Sequence, residues 1–492
     1  MRPSLFILII ALFLAACSPT PSHVVTTDEW PSLTPDYVGV TIPASVAPLN
    51  FGVSGDGVEA VDVVVRGSKG GELHVSGHEA CFDLEEWHAL TVENVGDSLI
   101  VTVTVLCDGS WKQYREFPIY VSADPLGEWG LTYRLIPPGY ETYGAMGLYQ
   151  RDLSNFEQTS IIENKDIGMG CVNCHTPDRT DPQRFTFHVR GDHGATVVGH
   201  GGRVDVLEAR NEQLGGGMVY PYWHPTSHFV AYSTNQTHQL FHQVSDRRVE
   251  VYDEASDIIV LDVESHELLR DSRLATDHYL ENYPAFSPDG RWLYFCRAER
   301  VDSIWRDYNR IRYDICRIAF NPETLAFEGE VEMVVNAHAI NKSANMPRLS
   351  YDGRYLLYTL CDYGCFPIWH SEADLWMKDL ERGEERPLDA ANSTAAESFH
   401  NWSVNSRWIV FTSRRDTGVY TQLYIAHVAA DGTVSKPFRL PQRHPQEYDV
   451  ETIYSFNTPD FAAHPMTVER KRLSESILST GRQSTQLRSV DN

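Results

Sequence analysis

The sequence predicts an all-β fold in which an immunoglobulin-like β-sandwich precedes a β-propeller. Apolar and polar side chains alternate in short runs across residues 38–128, as at 58–65 and 99–105, and Gly, Asp and Ser separate the runs. A period of two over such runs is typical of strands, and a region of this length suits a small sandwich. From residue 129 onward a turn followed by a strand recurs, which predicts the blades of a propeller.

The recurring unit has two halves. The first is a tight turn and a buried strand, with copies that start at Phe286, Leu349 and Trp402 and a weaker copy at Trp223. Asp-Gly and Asn-Ser stand where a tight turn needs them. The second half is a strand that ends in a polar turn, as at residues 258–265. Together the two halves resemble the blades of TolB-like propellers, and the resemblance covers about residues 130–460.

The number of blades follows from one displaced copy. Residues 147–157 match a second half but lie upstream of the other copies, so a blade begins before residue 165. Residues 129–462 are therefore predicted to form six blades, with five blades and a decorated insertion as the alternative. The first blade lacks its first half, and we expect a C-terminal strand near residues 448–455 to complete it and close the ring. Residues 463–492 are polar and are predicted to form a flexible tail.

The N-terminus predicts export. Arg2, an apolar run at residues 5–14 and two small residues precede Cys17, which is the order of a secretory signal peptide. Leu14-Ala-Ala-Cys17 resembles a bacterial lipobox, which implies cleavage after residue 16 and a lipid anchor on Cys17. Ser18 then favours the outer membrane, on its periplasmic side, with residues 17–37 as a tether. An ordinary signal peptide that happens to contain Cys17 is the alternative.

The charge limits the partners. Lys and Arg number 41 against 67 Asp and Glu, so the formal net charge is −26. A chain this acidic is a poor ligand for nucleic acid, whereas a basic redox partner or metal cations would be attracted to it. The expected partner is a periplasmic redox protein or another periplasmic protein. No segment after Cys17 reads as long and apolar enough to span a membrane.

Cys171-Val-Asn-Cys174-His175 is the motif with the clearest chemistry. C-x-x-C-H is the attachment site of a c-type haem, in which two thiols hold the porphyrin and the histidine binds the iron. The alternatives are a disulfide, a zinc half-site or a thioredoxin-like pair, but zinc needs a second pair of ligands and a thioredoxin motif opens a helix. The sequence therefore predicts one covalent haem c on Cys171, Cys174 and His175.

The repeat gives the motif a predicted place. Cys174-His175-Thr-Pro-Asp aligns with the Phe-Ser-Pro-Asp-Gly turn of other blades, so the haem would be held by an insertion at about residues 165–193. His188 lies on the strand that leaves this insertion and is the first candidate for the second iron ligand, with Met169 and Met218 next. Met346 and His400 precede repeat turns and could face the mouth of the channel. The alternative for His188 is a hydrogen bond to a neighbouring residue. Arg190 is predicted to pair with a haem propionate.

The six remaining cysteines fall into local pairs. Proximity favours disulfides between Cys81 and Cys107, between Cys296 and Cys316, and between Cys361 and Cys365, which an oxidising periplasm permits. Six cysteines allow 15 connectivities, so the sequence does not decide the pairing.

A wider resemblance includes Tyr133-Arg-Leu-Ile-Pro-Pro-Gly-Tyr-Glu, the C-x-x-C-H motif, Phe187-His-Val-Arg-Gly and Asp362-Tyr-Gly-Cys-Phe-Pro-Ile-Trp-His. These segments are similar to a family of Bacteroidetes TolB-like lipoproteins that carry one C-x-x-C-H motif. The resemblance implies the propeller and the haem but no reaction. We therefore expect one-electron transfer with the propeller as a docking scaffold. A protein- or glycan-binding propeller with a structural or sensory haem, and a haem-dependent oxidoreductase acting in the channel, are the alternatives.

Overall fold

The structure is a computed structural model that describes residues 20–137, 144–208, 214–242 and 247–489. The predicted signal peptide at residues 1–16 and the predicted lipid site Cys17 lie outside these residues. Within the described ranges, no helix combines the length and apolarity needed to cross a bilayer.

The N-terminal region contains two sheets and a helix. Its elements, in chain order, are β1 (Val25–Thr26), β2 (Leu33–Thr34), β3 (Thr41–Ile42), β4 (Gly52–Val53), β5 (Val58–Gly67), β6 (Glu72–Gly77), α1 (Leu84–Glu93), β7 (Asp97–Cys107), β8 (Ser110–Gln113) and β9 (Phe117–Val121). The main sheet has the order β1-β8-β7-β5-β6, with β9 also pairing β7 and β3 pairing β9. The second sheet is only the short β2–β4 pair.

Helix α1 is the element that the strand pattern did not predict. It begins after Asp83, whose carboxylate accepts hydrogen bonds from the amides of Glu85 and Glu86, as a helix N-cap does. Trp87 and Leu90 on its inner face are buried in the core that β5 and β7 also line. Helix α1 is one element in a region that otherwise consists of strands, so the predicted all-β class is confirmed.

The strands from Gly130 onward form the propeller. The first blade starts with β10 (Gly130–Ile136), β11 (Gly147–Asp152) and β12 (Gln158–Glu163). Blade two comprises β13 (Cys171–Asp178), β14 (Asp181–Arg190), β15 (Ala195–His200) and β16 (Arg203–Glu208), and blade three comprises β17 (Gly217–Trp223), β18 (Phe229–Phe241), β19 (Val249–Asp262) and β20 (Glu267–Arg270). Blade four comprises β21 (Tyr279–Phe286), β22 (Trp292–Glu299), α2 (Ile304–Asp307), β23 (Asp314–Asn321) and β24 (Ala326–Val335). Blade five comprises β25 (Ser343–Leu349), β26 (Tyr355–Cys361), β27 (Asp374–Asp379) and β28 (Glu385–Pro387), and blade six comprises β29 (Glu397–Trp402), β30 (Trp408–Ser413), β31 (Gln422–His427) and β32 (Phe438–Arg439).

The chain end closes the ring. After helix α3 (Pro445–Glu451), strand β33 (Ser455–Ala462) pairs antiparallel with β10 and becomes the innermost strand of blade one. The described residues thus form six blades, as predicted. The closing strand was expected near residues 448–455, where the structure has the helix and the start of β33.

Every innermost strand carries the same irregularity. The register shifts in the middle of each one. In each strand one non-glycine residue has a positive φ, between 43° and 57°; these residues are Thr458, Cys174, Tyr220, Tyr283, Met346 and Phe399. A left-handed residue at a shift in register is the geometry of a β-bulge, which turns side chains out of the regular alternation. The six bulges therefore lie at equivalent positions around the central channel.

The C-terminal residues do not form the predicted flexible tail. Helix α4 (Arg470–Leu478) places Leu473 and Ile477, four residues apart, in the core between blades one and two. Arg470 pairs with Glu163 at 2.9 Å and with Asp166 at 2.7 Å. Strand β34 (Gln486–Ser489) then adds to blade three, parallel to β20. Two apolar residues on one helical face are enough to hold a polar segment to the fold.

We predict that Leu473→Ala lowers the free energy of unfolding by about 2–5 kcal/mol, because it deletes a fully buried leucine side chain. Leu478→Ala is the matched control: it lies in the same helix but is 40% exposed, so we expect a change of about 0.5 kcal/mol or less. Thermal unfolding of both variants measures the difference. Equal effects of the two substitutions would contradict the docking of α4.

Candidate functional site

The C-x-x-C-H motif lies on the innermost strand of blade two. Cys171 begins β13, and Cys174 is the left-handed residue at its bulge, equivalent to Tyr283 and Met346 in blades four and five. The turn of this blade is formed instead by Arg179 and Thr180, between β13 and β14. The predicted alignment with the Ser-Pro-Asp-Gly turn was therefore wrong by three residues. The predicted insertion at residues 165–193 is also wrong, because β13 and β14 are the regular first strands of the blade.

Both cysteines of the motif line one cavity of about 280 Å³ at the end of the channel, which we call the channel cavity. Its size is close to the lower end of the range of about 300–1,000 Å³ for small-molecule sites. Much of its wall is apolar and includes Met146, Val249, Val251, Phe366, Ile368 and Trp369. Two thiols on an apolar wall are what a covalently held, largely apolar ring system needs.

Three arginines also line the channel cavity: Arg134, Arg190 and Arg414. None of the described lining residues is Asp or Glu, although the chain as a whole carries a charge of −26. Arg134 donates to the sulfur of Cys171 at 3.2 Å, and its buried Nε has no partner among the described residues. The cavity therefore offers a positive field to an anionic group.

Arg414 is a buried cation in the wall of the cavity. Its Nε donates to the carbonyl of Ile368 at 2.6 Å, and its guanidinium lies 3.3 Å from the ring centroid of Trp369. Burial, with a smaller effect from Arg248, lowers the pKa of Arg414 to about 9. An anion in the cavity would offset the cost of this buried charge.

His175 is the one motif residue with unmet hydrogen-bonding capacity. Its side chain is 1% exposed, and neither ring nitrogen has a partner in the part of the chain that the structure describes. Burial lowers the pKa of His175 to about 4, so the imidazole is neutral at physiological pH. A neutral buried imidazole with free nitrogens is ready to bind a metal, and orphaned polar atoms of this kind call for an explanation.

The second-ligand candidates from the sequence lie elsewhere. His188 contacts the hydroxyl of Thr196 through Nδ1 at 3.3 Å and lines a neighbouring cavity of about 950 Å³, which shares Arg190 and Thr237 with the channel cavity. Met169 is 50% exposed, and Met218 is buried in the core of blades two and three. By contrast, Arg190 stands opposite Cys171 in the register and lines the channel cavity, where its predicted role would place it.

Two further candidates from the sequence share a small cavity with Cys174 and His175. These are Met346 and His400, and both are at most 3% exposed. Met346 is the bulge residue of blade five, and His400 directly follows the bulge residue of blade six. The sequence indicated both residues because each precedes a repeat turn. His400 Nε2 already contacts the Leu357 carbonyl at 3.2 Å, so the sulfur of Met346 is the more available of the two as a metal ligand.

The three predicted disulfides are not formed. All eight cysteines of the described residues are free thiols. Cys316 lies opposite Phe295, one residue before Cys296, so Cys296 and Cys316 point to opposite faces of the sheet and into different cores. Cys365 turns toward Asp253, 3.4 Å away, while Cys361 contacts the carbonyl of Tyr363.

The Cys81–Cys107 pair is equally separated. The sulfur of Cys81 lies 3.5 Å from the carbonyl of Arg443, and that of Cys107 lies 3.3 Å from the carbonyl of Asp56. Proximity in sequence did not predict proximity in space.

A long hairpin covers the channel cavity. Strands β18 and β19 extend beyond the other strands of their blade, and Val249 and Val251 pack on Ile368 and Trp369 of the loop after β26. We call residues 235–256 of this hairpin the cover; residues 243–246 lie outside the described ranges. Residues of the cover form part of the wall of the cavity.

A buried ion pair fastens the cover. His370 Nε2 lies 3.1 Å from Glu250 Oε2, and His370 Nδ1 lies 3.3 Å from Glu372 Oε1. Tyr363 donates to the other oxygen of Glu250 at 2.6 Å. Burial opposes the positive charge, but the interactions of His370 with Cys361, Glu250 and Glu372 outweigh it and raise the pKa of His370 to about 11. The histidine is therefore charged at neutral pH and ties the cover to blade five.

Comparison with known proteins adds little about function. An oligogalacturonate lyase in complex with manganese has a TM-score of 0.35 at 10% identity, over 63% of this chain and 72% of that one. The Vibrio parahaemolyticus oligogalacturonate lyase has a TM-score of 0.35 at 12% identity, over 78% and 97%. The Kuenenia stuttgartiensis hydrazine synthase has 0.41 at 9%, over 70% and 48%.

These similarities are too weak to transfer an activity. No family model matches the chain, and no curated protein is similar to it. The six-bladed propeller itself fits a binding or docking role.

Proposed function

We propose that this protein is a c-type haem protein that transfers single electrons while its propeller docks a redox partner. Cys171 and Cys174 would hold the haem covalently, and His175 would bind its iron. One observation carries the proposal: both thiols line the channel cavity, and the adjacent imidazole is buried with both nitrogens unpartnered among the described residues. When bound, a haem supplies reversible one-electron chemistry.

The other residues of the cavity have separate roles in this proposal. Arg134, Arg190 and Arg414 would bind the two propionates by charge-assisted hydrogen bonds, which are stronger than neutral ones. The apolar wall would pack on the ring, and the cover would exclude water. Because the cavity is small, we expect the cover to shift outward when the group is attached. Met346 would offer a sulfur on the side of the channel that His175 lines.

Location and partner follow from the sequence alone and form part of the proposal. A lipid on Cys17 would anchor the chain to the outer membrane, facing the periplasm. The net charge of −26 favours a basic partner, and the rate of association would then fall as ionic strength rises.

The test is a spectrum of the full chain matured in a host that attaches c-type haem. We expect a reduced-minus-oxidised difference spectrum of c type, with colour that survives denaturation. Colourless protein in which Cys171 and Cys174 both react with a thiol reagent after unfolding would reject the proposal.

The predicted iron ligand His188 can be tested in the same preparation. We predict that His188→Ala leaves the reduced and oxidised spectra unchanged, because His188 contacts Thr196 and lines neither the channel cavity nor the smaller cavity that contains His175. Met346→Ala is the comparison variant, and we expect it to alter the spectrum or the redox potential. A loss of the low-spin spectrum in His188→Ala alone would restore His188 as the second ligand.

A further inference from the structure

A second cluster of metal-binding side chains lies where the N-terminal region meets the propeller, away from the channel. Glu79 and Cys81 lie between β6 and α1, and His444 directly precedes α3. Glu79 Oε1 lies 2.7 Å from His444 Nδ1 and 3.5 Å from the sulfur of Cys81. The sulfur of Cys81 lies 3.8 Å from His444 Nδ1. One carboxylate, one thiol and one imidazole thus converge on one point.

The backbone holds both sides of this cluster in place. Ala80, between the two N-terminal members, exchanges hydrogen bonds with Phe51 at 2.8 and 3.1 Å. The buried Asn50 donates to the carbonyl of Arg443 at 2.8 Å and accepts from the amide of Phe82 at 3.0 Å. Asn50 therefore fixes the residues next to Cys81 and the residue before His444 at once. Such preorganisation lowers the entropy cost of bringing ligands from distant segments together.

We propose that Glu79, Cys81 and His444 bind a zinc ion. Zinc takes Cys, His and Glu ligands at about 2.3, 2.0–2.1 and 2.0–2.2 Å, so ligand atoms around one tetrahedral ion lie about 3.3–3.6 Å apart. The two distances to the sulfur of Cys81 are close to these values. The distance between Glu79 Oε1 and His444 Nδ1 is shorter, because these two atoms are joined by a direct hydrogen bond. A bound ion would increase this distance by roughly 0.6 Å. The thiol releases its proton to solvent when the ion binds.

The chemistry and the location both favour zinc over calcium or magnesium. Hard cations prefer oxygen ligands only, whereas this set contains a thiolate and an imidazole. The side chain of His444 is 51% exposed, so the ion can enter from solvent and keep a water as its fourth ligand. Since the ligands come from both parts of the chain, the ion would cross-link the N-terminal region to the propeller.

The site can be tested on the full chain after treatment with a chelator. Titration with cobalt chloride should give one equivalent of bound ion with a thiolate-to-cobalt absorption band, which zinc chloride then displaces. Cys81→Ser and His444→Ala should each weaken zinc binding by at least about 100-fold, more than the loss that outer-sphere changes cause. His444→Ala alters a half-exposed side chain, so it also serves if Cys81→Ser fails to fold.

Two controls separate this site from other thiols. Cys107→Ser changes another cysteine of the N-terminal region and should leave cobalt and zinc binding as in the parent chain. The Cys171→Ser/Cys174→Ser double variant should also retain the ion, which makes the result independent of the haem proposal. Absence of the thiolate–cobalt band, or zinc affinity that is unchanged in both Cys81→Ser and His444→Ala, would overturn the inference.

Discussion

Replacing Cys171 and Cys174 together with serine should abolish covalently bound haem in protein matured with c-type haem. The attachment needs a sulfur on each side of the motif, and a serine hydroxyl does not add to the porphyrin. Serine is close to cysteine in size, and β13 pairs with β14 on both sides of its bulge through backbone hydrogen bonds that the substitutions leave in place, so we expect the propeller to form. Haem staining on a denaturing gel and the intact mass of the purified chain measure the loss.

The control for this experiment is Cys296→Ser. Cys296 is a fully buried thiol in blade four, so the same chemical change is made in the same kind of environment but away from the channel cavity. We expect this variant to keep its haem. Haem that survives denaturation in the double variant, or its loss in Cys296→Ser, would contradict attachment through Cys171 and Cys174.

The repeat was readable in the sequence because its turns have side-chain signatures. Asp-Gly and Asn-Ser recur at the turns and predicted blades four to six, and the displaced second half at residues 147–157 brought the predicted total to six. The bulges have no such signature, because Cys174, Tyr283 and Met346 share a backbone angle and not a side-chain type. The motif was therefore aligned with the turn, when it belongs three residues earlier on the inner strand.

Non-local contacts account for the rest of what was missed. Arg134 and Arg414 come from two other blades than Arg190, which the sequence did predict, and the three meet only because the propeller closes. The cover likewise joins blade three to a loop of blade five. Cys296 and Cys316 illustrate the opposite error, since neighbours in sequence were separated by the alternation of side chains across a sheet.

The largest effect on the cover is expected from His370→Ala. The substitution leaves Glu250 buried without its cation, and breaking a buried ion pair costs about 3–5 kcal/mol. We expect about 3 kcal/mol, because Tyr363 still donates to Glu250. Loss of the ion pair lowers the free energy needed to open the cover locally. The amides of residues 249–256 should therefore exchange with deuterium about 100-fold faster than in the parent chain.

The dependence on pH has a defined direction. The pKa of His370 is about 11 in the folded protein, against about 6.5 when unfolded. The stabilisation is therefore complete below about pH 6.5 and is lost as pH rises toward 11. After correction for the intrinsic rate, exchange of the cover should accelerate over this range in the parent chain. In His370→Ala that additional acceleration should be absent.

His238→Ala is the matched control, because it removes a histidine–glutamate pair from the same hairpin at an exposed position. His238 Nε2 lies 2.9 Å from Glu254 Oε2, but the two side chains are 34% and 47% exposed. An ion pair this exposed to water contributes about 0–1 kcal/mol to stability, so the rate of amide exchange in the cover should change by less than about tenfold. If the two substitutions had the same effect, burial of the Glu250–His370 pair would not be what holds the cover closed.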